Sequence, residues 1–165
     1  MIRDASPADA DAIAALYNPY VRETVITFEY DEVSVEDMGA RILKVQEQGL
    51  PWLVSVEADA VVGFAYAAPY RPRAAYLHSV ETTIYLAQGQ SGRGLGRALY
   101  DELLTRLEAT PAHTALSLVA VPNDASMGLH QAVGFREVGV LREVGRKFDR
   151  WIDVAYLQRD IHHSA

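Results

Sequence analysis

Ser91-Gly92-Arg93-Gly94-Leu95-Gly96 stands between a strand pattern ending at Leu86 and a helix pattern beginning at Arg97. Alternating glycines let a backbone curl so that several N–H groups point at one centre, and a following helix adds the positive end of its dipole. Together they make an anion site suited to a pyrophosphate. Arg93 and Arg97 add cationic charge. The competing reading is a turn that only joins two elements. Two familiar phosphate motifs fail on spacing. A dinucleotide fingerprint needs a third glycine three residues after the second. Counted from Gly92 that position is Arg97, and counted from Gly94 it is Leu99. A P-loop needs Gly-Lys followed by Ser or Thr, and no such triplet follows. The anion therefore belongs to another class of ligand.

Working outward, Arg97 to Glu108 reads as a helix with Leu99, Leu103 and Leu107 on its buried face. Upstream, Trp52–Glu57, Val61–Tyr66 and Ser79–Leu86 read as strands rich in β-branched and aromatic residues. Pro69-Tyr70-Arg71-Pro72-Arg73 forms a stiff basic loop between the last two. Downstream, Leu116–Val121 is a buried-type strand, and Asn123–Val133 is a short helix ended by Gly134. Glu137–Val144 and Trp151–Asp160 close the chain as strands. Near the start, Ser6-Pro7 caps a helix over residues 10–17. Val25–Tyr30 is a short β-branched and aromatic stretch. Ser34 and Asp37 form a capping box for a second helix with Met38, Ile42 and Val45 on one stripe, stopped by Gly49 and Pro51. The order β, α, α, three strands, α, β, α, two strands implies an α+β fold around one mixed sheet.

The length of 165 residues fits one domain, expected over residues 1–161, with 162–165 a frayed tail. Fifteen Lys and Arg against 22 Asp and Glu give a net charge of −7, which argues against nucleic acid as a partner. The absence of cysteine excludes disulfides, thiolate nucleophiles and zinc ribbons, and fits a cytoplasmic setting. No stretch of about 18 apolar residues occurs, so no membrane span is expected. His78 and the pair His162-His163 lack metal-like partners, and no metal is expected.

Glu81 is an acid inside an otherwise β-branched and apolar strand, where an unpaired charge is costly. A carboxylate whose pKa rises on burial can take a proton; the alternative is a strand residue that faces solvent. Arg71 and Arg73 flank Pro72 and can grip a carboxylate or phosphinate bidentately, or stand as a solvated basic loop.

These residues resemble the GNAT superfamily of N-acetyltransferases. Its pyrophosphate loop has the form Gln/Arg-x-x-Gly-x-Gly/Ala. Gly94 and Gly96 match it; Ser91 stands at the Gln/Arg position, with Gln90 adjacent. Pro122-Asn123-Asp124-Ala125-Ser126 and Leu129-His130-Gln131-Ala132-Val133-Gly134-Phe135 are similar to the second CoA-contacting helix and its Gly-Phe ending. Ser79-Val80-Glu81-Thr82-Thr83-Ile84-Tyr85-Leu86 and Lys147-Phe148-Asp149-Arg150-Trp151-Ile152-Asp153 resemble a narrower group, the phosphinothricin and methionine sulfoximine/sulfone acetyltransferases.

The resemblance implies a mostly antiparallel sheet of about seven strands, splayed at the centre and flanked by about four helices. It implies acetyl-CoA as co-substrate. Ile84, Tyr85 and Leu86 would hold its pantetheine and thioester, Gly92, Arg93, Gly94, Leu95, Gly96 and Arg97 its pyrophosphate, and Asn123 its pantetheine or the reacting centre. Glu81 would be the base, and His130 would stand where relatives carry a tyrosine proposed to protonate the departing thiolate. The alternative for His130 is a packing role. Phe28, Arg71, Arg73, Thr82 and Thr83, beside Glu81, would surround a small amino-acid-like acceptor. A homodimer is expected, with the aromatic-rich C-terminal strand available to pair. Two other functions compete: a non-catalytic acyl-CoA sensor, which needs neither Glu81 nor the arginine loop, and a protein-modifying acetyltransferase, which needs a peptide groove.

Overall fold

The computed structural model describes residues 1–161, so the expected tail 162–165 and the pair His162-His163 lie outside the described residues. Seven strands form one sheet: β1 (Ile2–Asp4), β2 (Trp52–Glu57), β3 (Ala60–Pro69), β4 (Ser79–Leu86), β5 (Thr114–Val121), β6 (Arg136–Lys147) and β7 (Arg150–Asp160), in the spatial order β1-β2-β3-β4-β5-β7-β6. Four α-helices accompany it: α1 (Ala10–Glu23), α2 (Val35–Glu47), α3 (Leu95–Glu108) and α4 (Asp124–Ala132).

The period of two along each strand sends alternate side chains to opposite faces. Trp52, Val54 and Phe64 join α1 and α2 in one core with Ile13, Met38 and Ile42. Leu53, Ala65 and Ala67 join α3 in a second core with Leu99, Leu103 and Leu107. The sheet is thus covered on both faces, and the leucine stripe of α3 is its second cover.

Every neighbouring pair is antiparallel except β4 and β5. Those two run parallel and pair only over Ser79–Glu81 and Thr114–Leu116. Beyond that point each keeps its outer partner, β4 with β3 and β5 with β7, and the two part. Side chains stitch the apex of the fork. Thr82 Oγ1 donates to Leu116 O at 3.1 Å, and Ser117 Oγ lies 3.3 Å from Thr82 O.

Several elements differ from the sequence reading. The helix expected to Tyr17 runs on through Pro19 to Glu23, carried by the burial of Val21. The β-branched stretch Val25–Tyr30 is an irregular segment, tied to α1 by the hydrogen bond between Tyr17 Oη and Thr27 Oγ1 at 2.6 Å. α3 starts at Leu95, because Gly94 at φ 78° serves as its N-cap. α2 begins as expected, with Ser34 Oγ accepting from Asp37 N at 3.0 Å.

The N-terminal strand is tied to α1 by one ion pair. Arg3 grips both oxygens of Asp9 at 2.7 and 2.8 Å, and Ser6 N donates to the same carboxylate at 2.8 Å. The Arg3 guanidinium holds the Asp9 carboxyl down at about 2. A depressed folded pKa stabilises above the unfolded value of about 3.9, and that stabilisation is lost as pH falls through the folded one. Asp9→Ala should therefore cost about 1–2 kcal/mol at neutral pH, reduced from the full charged-bond range because Arg3 is part-exposed. In urea titrations the gap to wild type should close as pH falls below about 3; a gap that stays constant with pH would assign the loss to packing.

Candidate active site

The fork between β4 and β5 opens into a cavity of about 620 Å³. Glu81, Thr82, Thr83, Ile84 and Tyr85 line it from β4, and Ser117 to Ala120 from β5. A second cavity of about 360 Å³ adjoins it. Ser91, Gly92, Gly94, Gly96 and Arg97 line that one, together with Leu86. Ile84, Tyr85 and Asn123 belong to both walls, so the two form one continuous cleft. Past Glu81 the inner edge of β4 has no ladder partner; Leu86 O accepts instead from Tyr20 Oη at 2.6 Å, and Ser117 Oγ lies 3.3 Å from Thr82 O, with Ile84 between them on the cleft wall.

The glycine loop is built as an anion cradle. Gly92 and Gly94 adopt φ of 80° and 78°, a region where a side chain is strained. Gly96 is needed for closeness instead: a Cβ there would meet Leu129 at 3.2 Å and Leu86 at 3.3 Å. The first N–H groups of α3 have no intrahelical acceptor and carry the positive end of the dipole. Arg97 joins the same wall. Arg93 does not. It turns away to Glu57 at 3.1 Å and to Gln90, and Leu95 lines neither cavity.

Glu81 occupies the last position of the β4–β5 pairing, at the floor of the fork. Burial pushes its carboxyl above the usual carboxylate range, and the nearby Arg71 charge opposes that only in part. A half-buried carboxylate of this kind is a proton acceptor poised closer to neutrality than a surface one.

His130 is 2 % exposed and both of its nitrogens are engaged. Nδ1 lies 2.7 Å from Ser126 O, which can only accept, so the proton sits on Nδ1. Nε2 then carries the lone pair and accepts from Ser117 Oγ at 2.7 Å. Burial lowers the ring's pKa, which keeps it neutral. Tyr100 Oη approaches Nε2 at 3.1 Å and Thr82 Oγ1 at 2.6 Å. In this arrangement the ring holds no proton on the nitrogen nearest β5. It orients the Ser117 hydroxyl. Asn123 likewise has a local task, since its Oδ1 caps α4 by accepting from Ser126 N at 3.1 Å.

The opposite wall is the segment after α1. Phe28 lines the central cavity beside Glu29. The β6–β7 hairpin holds this segment in place. A Cβ on Gly145 would fall 2.3 Å from the Phe28 ring, so only glycine admits that contact. Lys147, 1 % exposed, donates to Thr27 O at 2.8 Å, and its burial lowers its pKa. Tyr30 Oη donates to Arg146 O.

Arg71 and Arg73 separate. Arg71 stands 4.8 Å over the Tyr70 ring and lines a neighbouring cavity. Arg73 lines none of these cavities. The sequence reading missed Ser117, Tyr100 and the contribution of Leu141 and Val144 from β6. Ser117 carried a signal, being a lone hydroxyl in a buried strand. Among the described residues no group of three or more His, Asp or Glu could hold a metal ion, and no helix is long and apolar enough to cross a membrane.

Comparison with known proteins agrees with this geometry. The family model for the acetyltransferase (GNAT) domain matches residues 2–156. Phosphinothricin N-acetyltransferase of Streptomyces coelicolor is 43 % identical over 164 residues, covering 97 % of this chain and 95 % of that protein. L-methionine sulfoximine/L-methionine sulfone acetyltransferase of Pseudomonas paraeruginosa is 34 % identical over 161 residues, covering 97 % and 94 %. The crystal structure of a phosphinothricin acetyltransferase from Sinorhizobium meliloti in complex with acetyl-CoA superposes with a TM-score of 0.94 at 34 % identity, covering 98 % of this chain and 88 % of that one. A splayed parallel pair, a glycine cradle at the start of α3 and a half-buried acid at the fork thus coincide with the family match, and the chain belongs to the GNAT acetyltransferases.

Proposed function

We propose that the chain transfers the acetyl group of acetyl-CoA to the α-amine of a small amino-acid-like acceptor, of the methionine sulfoximine, methionine sulfone or phosphinothricin type. Attack is direct, within a ternary complex. The observation that carries this reading is Glu81, half-buried at the floor of a cleft whose far end is the glycine cradle. The pyrophosphate would lie on Gly92 to Gly96 with Arg97, and the thioester between the arms of the fork.

Glu81 accepts a proton from the acceptor's ammonium group. The freed nitrogen attacks the thioester carbonyl; the C–N bond forms, and the C–S bond breaks as the tetrahedral intermediate collapses. The surplus proton on nitrogen passes to the departing thiolate, and Glu81 returns its own to water. His130 contributes by fixing Ser117 beside the cleft. Holding both reactants in one fork supplies much of the rate through orientation. The absence of cysteine fits work in a reducing, cytoplasmic setting.

A homodimer completes this reading. Val138, Leu141, Val144 and Trp151 are exposed apolar residues on the β6–β7 edge. Leu141 and Val144 also border the central cavity, so a second copy covering that edge would close the acceptor chamber.

The acceptor class is tested by running the enzyme with methionine sulfoximine and with a lysine-bearing peptide. The amino acid should be the better substrate; preference for the peptide would replace this reading with protein modification. Glu81→Gln should lower kcat about 10²- to 10⁴-fold and leave acetyl-CoA affinity unchanged. The base works only when ionised, so the wild-type rate should fall as pH drops through a pKa above the ordinary carboxylate range, and the variant should lack that limb. Near-normal kcat for the variant would make Glu81 structural.

Gly94→Val should weaken acetyl-CoA binding in calorimetry by about tenfold or more, because a β-branched residue cannot hold φ of 78°. Space is open around that Cβ, so unchanged affinity would show that the cradle does not bind the nucleotide. In sedimentation the wild type should run as a dimer, and Val138→Asp should shift it toward monomer. A monomeric wild type would dismiss the closed chamber.

A further inference from the structure

Three hydroxyl protons and one imidazole lone pair are shared at the wall of the fork. Thr82, Ser117 and His130 all border the central cavity, and Tyr100 lies wholly buried behind them. Thr82 Oγ1 donates to Leu116 O at 3.1 Å, Tyr100 Oη to Thr82 Oγ1 at 2.6 Å, and Ser117 Oγ to His130 Nε2 at 2.7 Å. The set has one alternative. Tyr100 Oη also lies 3.1 Å from Nε2, and a hydroxyl hydrogen rotates to suit its acceptors. When Tyr100 turns its proton to Nε2, Thr82 keeps Leu116 O and His130 keeps a donor. The Ser117 proton is then left with Thr82 O at 3.3 Å, a poor distance for a hydroxyl, or with an occupant of the cavity.

The face of the sheet on which Ser117 stands decides what that occupant is. Val80, Ile84 and Leu86 pack with the core of α3, and Tyr85 packs with the core of α1 and α2. By alternation Thr82 faces α3, and Glu81 faces the side of α1 and α2. On β5, Ala115 and Val119 belong to the α3 core, so Ser117 between them faces α3 too. The glycine cradle opens α3, so the co-substrate arrives on the same side as Ser117. Ile84 and Ser126 line both cavities along that route, and Ser126 O holds the His130 ring. A thioester carbon in the gap thus meets the amine from the Glu81 side and turns its sulfur toward Ser117.

We propose that the Ser117 hydroxyl is the hydrogen-bond donor that receives the departing sulfur, released for this when Tyr100 takes its place on His130. The proposal rests on the acetyl-transfer reading above and gives the leaving group its partner. Ser117 keeps its proton throughout. The C–S bond breaks with its electron pair going to sulfur, the growing charge accepts the Ser117 O–H, and the neutralising proton comes from the attacking nitrogen. A hydrogen bond to a charged atom is stronger than one to a neutral acceptor. The exchange therefore favours the transition state over the resting complex, which is what raises kcat.

Ser117→Ala should lower kcat about 10- to 100-fold with methionine sulfoximine as acceptor and leave acetyl-CoA affinity unchanged. Tyr100→Phe keeps Ser117 but commits its proton to His130, and should lower kcat in the same direction. A readout without turnover compares, by calorimetry, CoA with desulfo-CoA, which lacks the sulfur. Once the pH is high enough for a thiol to ionise, about 8.5 and above, the wild type should gain up to about tenfold in preference for CoA over its value at neutral pH. Ser117→Ala should lose that gain, which a merely structural role would not move. Normal kcat in either variant, or a lost kcat with the gain intact, overturns the proposal. A wild type without the gain also overturns it and leaves acetyl transfer standing. A wild type that binds neither compound overturns the acetyl-transfer reading itself.

Discussion

The architecture turns on how briefly β4 and β5 stay paired. Three residues on each strand meet, Ser79–Glu81 against Thr114–Leu116, and then the strands diverge. A sheet interrupted at its centre would leave polar backbone exposed inside the molecule, a cost that a folded protein tolerates only where a ligand or water takes over. Everything around the fork acts to hold it open at a fixed angle. β3 and β7 clamp the outer edges, α1 and α2 brace one face, and α3 braces the other. The Thr82 hydroxyl ties the apex to Leu116 O, and His130 fixes the Ser117 hydroxyl beside it.

Much of this was legible in the sequence because it follows from periodicity and punctuation. The strands Trp52–Glu57 and Ser79–Leu86 were readable to the residue, and Ser34, Gly49 and Gly134 marked helix ends through their own backbone chemistry. The helix through Pro19 was not, because tertiary burial of Val21 overrides a local signal. Neither was the irregular course of Val25–Tyr30. Its conformation is set by Gly145, Lys147 and Arg146, more than a hundred residues away.

The site divides in the same manner. The glycine cradle is local and announces itself by spacing. The strand position of Glu81 also follows from pattern, but its burial depends on the fork. His130 shows the limit of reading residue types. A histidine suggests a proton donor, yet Ser126 O fixes its proton on the far nitrogen, and only the fold brings Ser117 to the near one. The two arginines of the Pro-stiffened loop looked equivalent in sequence. Stacking on Tyr70 draws Arg71 into a cavity wall and leaves Arg73 outside.

The unpaired inner edge of β4 has a consequence for how long the molecule survives. A protein whose central strand lacks a partner on one side has its weakest region where its co-substrate binds. A ligand bound only by the folded state adds stability by mass action, about 2.7 kcal/mol at a hundred times its dissociation constant. Acetyl-CoA bound in the fork would then serve as a missing strand. Local opening at the fork, and cleavage through it, should then become rarer as acetyl-CoA saturates the site.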